Sequence, residues 1–348
     1  MPSPPGRTRP ASAATRRPRR WSSKPATTCA SPEVGFAVRV RHKAVEAEGV
    51  ASFLLAPLDG AALPAVTAGA HIDVTGPAGH TRPYSLCNAP EDDGCYRIAV
   101  LHEAGGRGGS RAMHAQVAEG DVLQISAPRN HFPLREAAPF SLLLAGGIGI
   151  TPLLAMAEHL VVQGAPFVLH HAGRSRARMA FTARLQAPRF AGNVQLHADD
   201  ATPLDLGAVL AAPVAGAQLY VCGPAGFMAA ARAQALAAGW PAHALHQEAF
   251  AAAPTAATGD QPFEIELQRS GRCFLVPADR SAAEVLQAAG VPLATLCEQG
   301  VCGTCLTPVL AGAIEHRDLY LTPEEQAAQD RFLPCCSRAA GGRLVLDL

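Results

Sequence analysis

The chain is 348 residues long, 49% hydrophobic and 17% charged, with a formal net charge of +0; this predicts two or three globular domains and excludes a wholly disordered chain. Residues 1–32 hold seven basic side chains and no acid, leaving 22 basic against 29 acidic side chains downstream, so the rest is mildly acidic and offers no nucleic-acid surface. No 18-residue run is uninterruptedly apolar, so neither a membrane-spanning helix nor a membrane partner is expected.

Residues 1–33 are rich in Pro, Ser, Ala, Thr and Arg without periodicity, and read as a disordered basic extension without function. Arg16-Arg17 and Arg19-Arg20 suggest targeting, but the apolar core of a signal peptide is missing. Over 34–137, short alternating runs (35–40, 71–74, 96–101, 121–125) separated by Gly, Pro and Asp predict a small antiparallel β-barrel. Over 138–251, apolar strands at 141–145, 166–170 and 218–221 alternate with helices at 153–162 and 226–238, the pattern of an α/β parallel sheet. Residues 252–259 read as a linker. In 260–348, strands at 263–268, 273–276 and 343–348 and a helix at 282–289 surround a cysteine loop, giving an α+β segment. There is no internal repeat.

Four motifs stand out before the cysteines. Arg82-Pro-Tyr84-Ser85-Leu86 follows a barrel strand and combines a cation, an aromatic ring and a hydroxyl. Gly105-Gly-Arg107-Gly108-Gly109-Ser110 precedes a helix beginning near Arg111; it is either a flexible turn or a phosphate cradle at a helix N-terminus. Gly146-Gly147-Ile-Gly149-Ile-Thr151-Pro152 turns a buried strand into a helix, as dinucleotide sites in open α/β sheets do, although it is not the G-x-G-x-x-G fingerprint. Cys222-Gly223-Pro224 ends another strand, and His246-Gln-Glu248-Ala-Phe250 closes the parallel segment; alone, Cys222 and Phe250 read as core residues.

Of ten cysteines, five lie between Cys297 and Cys336, which favours metal ligation in a reducing cytoplasm over disulfides. Cys297-x4-Cys302-x2-Cys305 and a fourth cysteine, Cys335, with 29 residues between it and Cys305, has the spacing of a plant-type [2Fe–2S] centre. Structural zinc prefers paired C-x2-C knuckles, and only one such pair occurs here. A Rieske centre needs two histidine ligands, and no Cys-x-His pair occurs. Gly300 and Gly303 let backbone N–H groups approach the sulfurs.

Cys297-Glu-Gln-Gly-Val-Cys-Gly-Thr-Cys305, Pro334-Cys-Cys-Ser-Arg-Ala339 and the closing Leu344-Val-Leu-Asp-Leu348 resemble the phthalate dioxygenase reductase family, which includes vanillate demethylase reductases; the likeness runs from about Gly35 to Leu348. The resemblance implies a flavin barrel, a nucleotide domain and a β-grasp ferredoxin domain, carrying electrons from NADH through FMN and [2Fe–2S] to a Rieske-type aromatic oxygenase or O-demethylase. It implies Cys335 rather than Cys336 as fourth ligand. It assigns Tyr84 to the flavin face, Ser85 near N5 and Arg82 to a phosphate or pyrimidine oxygen. Ala99, Val100 and Leu101 border the flavin ring, and Gly108, Gly109 and Ser110 hold the FMN phosphate. Gly146, Gly147, Gly149, Thr151 and Pro152 hold the pyridine nucleotide. Cys222, with Gly223 and Pro224, lies by the nicotinamide, and Phe250 near the flavin. No segment serves the adenylate of FAD, so FMN is expected. Arg174-Ser175-Arg176 could grip a 2′-phosphate or be a solvated loop, and the resemblance favours NADH. A monomer is expected, with a P450 or a non-Rieske monooxygenase as alternative acceptor and a redox-sensing subunit as the rival role.

Overall fold

A computed structural model describes residue 1 and residues 35–250 and 259–348, except 59, 61, 78, 89–91, 93, 106 and 107. The expected basic extension, most of the expected linker, and Gly106 and Arg107 of the glycine-rich segment lie outside the described residues.

The first sheet is antiparallel and formed by β1 (Phe36–Ala47), β2 (Val50–Pro57), β3 (His71–Thr75), β4 (Thr81–Ser85), β5 (Tyr96–Leu101) and β6 (Val122–Ile125), in the order β4-β3-β6-β1-β2-β5. A bridge between Leu86 and Ile98 joins its two edges, closing it into the barrel. Val38, Phe53, Leu55, Ile72, Ile98 and Val100 fill the interior, and α1 (Gly109–Gln116) plugs it with Met113. Strand β2 shows no alternation in the sequence because both its faces are covered: Ala51, Phe53 and Leu55 point into the barrel, while Val50 joins the neighbouring core.

The second sheet is parallel, with β7 (Ser141–Gly146), β8 (Phe167–Gly173), β9 (Val194–Ala198), β10 (Gln218–Cys222) and β11 (Leu245–Glu248) in the order β11-β10-β7-β8-β9. Its helices are α2 (Ile150–Gln163), α3 (Thr182–Leu185), α4 (Leu206–Leu210) and α5 (Ala225–Ala237). The fully buried Leu142-Leu143-Leu144-Ala145 of β7 is what a central strand covered on both faces requires. The unexpected strands β9 and β11 are the two edges, where polar residues such as Gln195, Gln247 and Glu248 hide the apolar signal. Arg184 locks this sheet to the barrel: its guanidinium donates to the carbonyls of Cys87 and Asn88 at 2.9 and 2.8 Å and pairs with the buried Glu158 at 2.7 Å.

The third unit is a mixed sheet in the order β13-β12-β18-β14-β16, with β12 (Phe263–Leu267), β13 (Cys273–Val276), β14 (Thr307–Ala311), β16 (Arg331–Phe332) and β18 (Arg343–Leu346); β15 (Ile314–Glu315) pairs with β17 (Arg338–Ala339). Only β12 and β18 run parallel, the β-grasp arrangement. Helices α6 (Ala282–Ala288) and α7 (Pro323–Ala328) both begin in capping boxes, Ser281 with Glu284 and Thr322 with Glu325. Asp260 is bound at 2.6 Å by Arg317 and lies 3.8 Å from Arg338, so the first turn of this unit is tied to its own sheet.

Candidate functional site

The loop after α6 carries the first three cysteines past Gly300 and Gly303, both at positive φ (70° and 73°). A Cβ on Gly303 would collide with the Tyr320 ring, so glycine is required there by close packing. Backbone N–H groups turn toward sulfur: Gln299 N–H donates to Cys297 Sγ at 3.3 Å, and amides of Val301, Thr304 and Gly300 serve Cys297, Cys302 and Cys335. The thiols fall into two pairs, Cys297 with Cys302 and Cys305 with Cys335. In each pair the shared hydrogen bond lowers one thiol and raises the other: Cys302 down and Cys297 up, Cys335 down and Cys305 up. Thiolate is the form that binds iron. Two sulfurs per iron is what a two-iron centre demands, and among the described residues no three Cys, His, Asp or Glu converge on a single-ion site. Cys336 also touches Cys335, but its sulfur is directed to Leu333 O and Ser337 Oγ, each at 3.8 Å. Cys297, Cys305 and Cys335 are buried and Cys302 is half-buried.

Arg82-Pro-Tyr84-Ser85 follows barrel strand β3, as expected, and itself forms β4. Pro83 obscured this, and the structure tolerates it because β4 is an edge of the hydrogen-bonded order. Arg82 and Tyr84 line a crevice with His80, Val74 and Gly109, so the cation, the ring and the glycine-rich segment do meet. Helix α1 begins at Gly109 rather than near Arg111, and Gly108 caps it at φ 96°, a conformation glycine supplies. The Ser110 hydroxyl accepts Glu103 N–H at 3.1 Å and keeps its own proton to donate. Burial pushes the Tyr84 phenol up to about 12, so it stays neutral. Of the three residues expected to border a flavin ring, Ala99 and Leu101 face the inter-sheet core, which also holds Cys222, Ile148 and Phe250. Strand alternation turns the side chain of Val100, between them, into the barrel.

In the parallel sheet, the two glycine turns are pressed together. A Cβ on Gly149 would strike the backbone of Cys222, and one on Gly223 would meet Gly146 Cα at 2.9 Å. Gly147, at φ 54°, has open space where a side chain would stand, leaving room for a ligand against bare backbone. Thr151 is buried and its hydroxyl donates to Ile148 O at 3.1 Å, bracing the turn; Pro152 fits the first turn of α2, where no N–H is needed. Cys222 is fully buried; burial, followed by the nearby Glu248, pushes its thiol well up and keeps it protonated.

Glu248 itself was missed. Ser85 Oγ donates to Glu248 Oε2 at 3.3 Å, linking β4 to β11 across 163 residues of sequence. Burial raises this carboxyl to about 8, opposed only by the Ser85 hydrogen bond. The site therefore sets a neutral acid, a hydroxyl and a thiol around one point between the sheets. A second missed contact joins the units: the Arg82 guanidinium donates to Leu296 O at 3.3 Å, next to Cys297, and pairs with Glu298 at 3.5 Å.

Comparison with known proteins agrees with this geometry. Residues 265–340 match the 2Fe-2S iron-sulfur cluster binding domain. Vanillate O-demethylase oxidoreductase of Pseudomonas putida is 51% identical over 306 residues, covering 87% of this chain and 96% of that one. Phthalate dioxygenase reductase of Burkholderia cepacia is 38% identical over 321 residues, covering 91% and 98%. The chain belongs to the phthalate dioxygenase reductase family. The solved phthalate dioxygenase reductase, described as a modular structure for electron transfer from pyridine nucleotides to [2Fe-2S], superposes with a TM-score of 0.74 at 37% identity over 90% of this chain and 98% of that one. An intact type IV self-sufficient cytochrome P450 monooxygenase matches with a TM-score of 0.73 and 38% identity over 90% of this chain and 41% of that one. As a member of the family the protein is an iron–sulfur flavoprotein oxidoreductase, the reductase component of an oxygenase or demethylase system, and the family's cofactors are FMN, NADH and [2Fe–2S]. Among the described residues no helix is long and apolar enough to cross a membrane.

Proposed function

We propose that this reductase passes electrons from NADH to FMN, to the [2Fe–2S] cluster, and on to a Rieske-type aromatic oxygenase or O-demethylase in the cytoplasm, working as a monomer. The observation that carries the reading is the contact between Arg82 of the flavin strand and the carbonyl of Leu296, the residue before Cys297, because it brings the cluster loop against the strand that carries the flavin motif. When bound, FMN takes two electrons as hydride and releases them singly, and the cluster accepts one at a time, at about −400 mV for plant-type centres.

The chain's own residues supply placement. Gly108, Gly109 and Ser110 offer N–H and hydroxyl donors at the start of α1 to the FMN phosphate. Arg82 adds charge there, and Tyr84 offers its ring to the flavin. Ala99, Leu101 and Phe250 wall the space between the sheets. Gly146, Gly147, Gly149, Thr151, Pro152, Gly223 and Pro224 shape the nucleotide turn. Ser85, Cys222 and Glu248 surround the point of hydride transfer with neutral groups, Glu248 holding its proton at pH 7 and accepting from Ser85. Cys297, Cys302, Cys305 and Cys335 hold the cluster. The neutral carboxyl and the exposed Arg174 and Arg176 leave the choice of NADH over NADPH to the family's habit.

The functional division follows: 34–137 binds flavin, 138–251 binds nucleotide, 252–259 links, and 260–348 carries the cluster. A chain ending near residue 256 retains FMN, oxidises NADH and reduces ferricyanide, but does not support oxygenase turnover. Oxygenase turnover at the full-length rate by that truncated chain would overturn the route. The likeness to a self-sufficient P450 supports a haem monooxygenase as the second acceptor; reconstitution with each acceptor, scored by product formed per NADH, separates the two.

A further inference from the structure

The cluster loop reaches the flavin strand through one guanidinium. Arg82 donates to its neighbour's carbonyl, Thr81 O, at 2.8 Å and to Leu296 O at 3.3 Å, and stands 3.5 Å from Glu298 Oε2. The pair is sheltered, with side chains 17% and 33% exposed. Arginine suits a junction of this kind because its planar fork carries five donors, enough to serve a carbonyl and a carboxylate on one side while another edge faces an anion. A Cβ on Gly109, within the proposed phosphate cradle, would stand 3.9 Å from Arg82 Cγ.

Glu298 is unusual in a second respect. It is one of three non-glycine residues with positive φ among those described, at φ 53°. Two other turns of the same loop, Gly300 and Gly303, solve the same backbone problem with glycine. A side chain kept in the left-handed region carries backbone strain, which persists where the surroundings hold that side chain in place. The Arg82 fork is one such hold on the Glu298 side chain.

We propose that Glu298 is a positioning residue: with the Leu296 carbonyl it clips the cluster loop onto the flavin strand through Arg82. The seating of the loop then depends on the same guanidinium that faces the flavin crevice, so the gap between the two redox centres is held by a contact and not by the chain connection alone. The inference rests on the proposed flavin role of Arg82 only for its redox consequence; the clip itself is a contact within this chain.

The test uses the full-length, cofactor-loaded protein and Glu298→Gln, which keeps the shape and removes the charge. Iron content, flavin content and NADH–ferricyanide turnover stay at wild-type values, because Glu298 binds neither cofactor. Hydrogen exchange at the amides of residues 296–303 speeds up by about fivefold, the upper range for losing a partly exposed ion pair. Wild-type exchange in the same stretch rises with added salt toward about 1 M, where the screening length is about 3 Å, whereas the variant's does not. Glu298→Gly, which relieves the backbone strain, opens the loop in the same way. Single-turnover reduction of the cluster after NADH mixing is slower in both variants. Failure of wild-type NADH–ferricyanide turnover would count against the flavin reading and leave the exchange result to decide the clip. Exchange and salt response equal to wild type in both variants would overturn it.

Discussion

The cluster loop and the nucleotide turns are both rich in glycine and are built on opposite logics. In the loop the side chains are the site: four sulfurs, paired two by two, with backbone amides directed at them. In the turns the missing side chains are the site. Gly149 lies against the backbone of Cys222, and Gly223 against Gly146, so the two turns interlock and a surface of bare backbone is left at Gly147. The difference teaches which kind of substitution each region can bear. Removing atoms ruins the first, adding atoms ruins the second.

The sharpest break of that comparison is at the adjacent cysteines. Cys335→Ser abolishes the cluster, because Cys335 is the sulfur that meets Cys305; Cys336→Ser leaves it largely intact, because that sulfur is turned toward Leu333 O. Iron content and the visible spectrum of both variants decide the matter, and the reverse result would move the ligand by one position.

In the turns, the addition of a single methyl is the comparable insult. Gly149→Ala drives a Cβ into the Cys222 backbone and destabilises the nucleotide unit by about 3 kcal/mol. Urea unfolding followed by the near-ultraviolet signal measures this, while the iron content of the folded fraction stays at the wild-type level. A neutral effect at Gly149 would mean the turns do not interlock.

A change of pH tests Glu248, the half-buried carboxyl that meets Ser85 between the sheets. Glu248 is raised from 4.5 to about 8, so between those values the folded protein holds a proton that the unfolded chain has lost. Its contribution to stability is complete below about 4.5 and is lost as pH rises toward 8, by linkage. Thermal melts should therefore show wild-type stability falling across this window by a slope that Glu248→Gln lacks. Parallel pH profiles for the two proteins would sink the assignment of a protonated Glu248.

The parts of this site that could be read from the sequence are those whose chemistry is local. Cys297, Cys302 and Cys305 lie within nine residues, and ligand spacing survives whatever the rest of the chain does. Gly146–Pro152 is likewise a single turn. What stayed hidden depends on distant segments meeting. Glu248 acquires its raised proton affinity from burial beside Ser85 on a strand of another sheet, and Arg82 meets Leu296 across 214 residues. Strand β4 was masked by Pro83, and β2 by burial on both faces. Val100 is a different matter: the two-residue alternation of β5, already visible in the sequence, separates it from Ala99 and Leu101.

Asp260, gripped by Arg317 and near Arg338, bears on how such proteins are rearranged over time. The first residue of the cluster unit is moored to partners downstream of itself, so its order owes nothing to the chain that enters it. On the other side, Phe250 is packed into the core shared by the first two sheets. A genetic crossover falling between residues 250 and 260 therefore leaves both moorings whole. Recombination can then treat the cluster unit as cargo, with the Arg82–Glu298 contact among the parts of its docking to be re-formed.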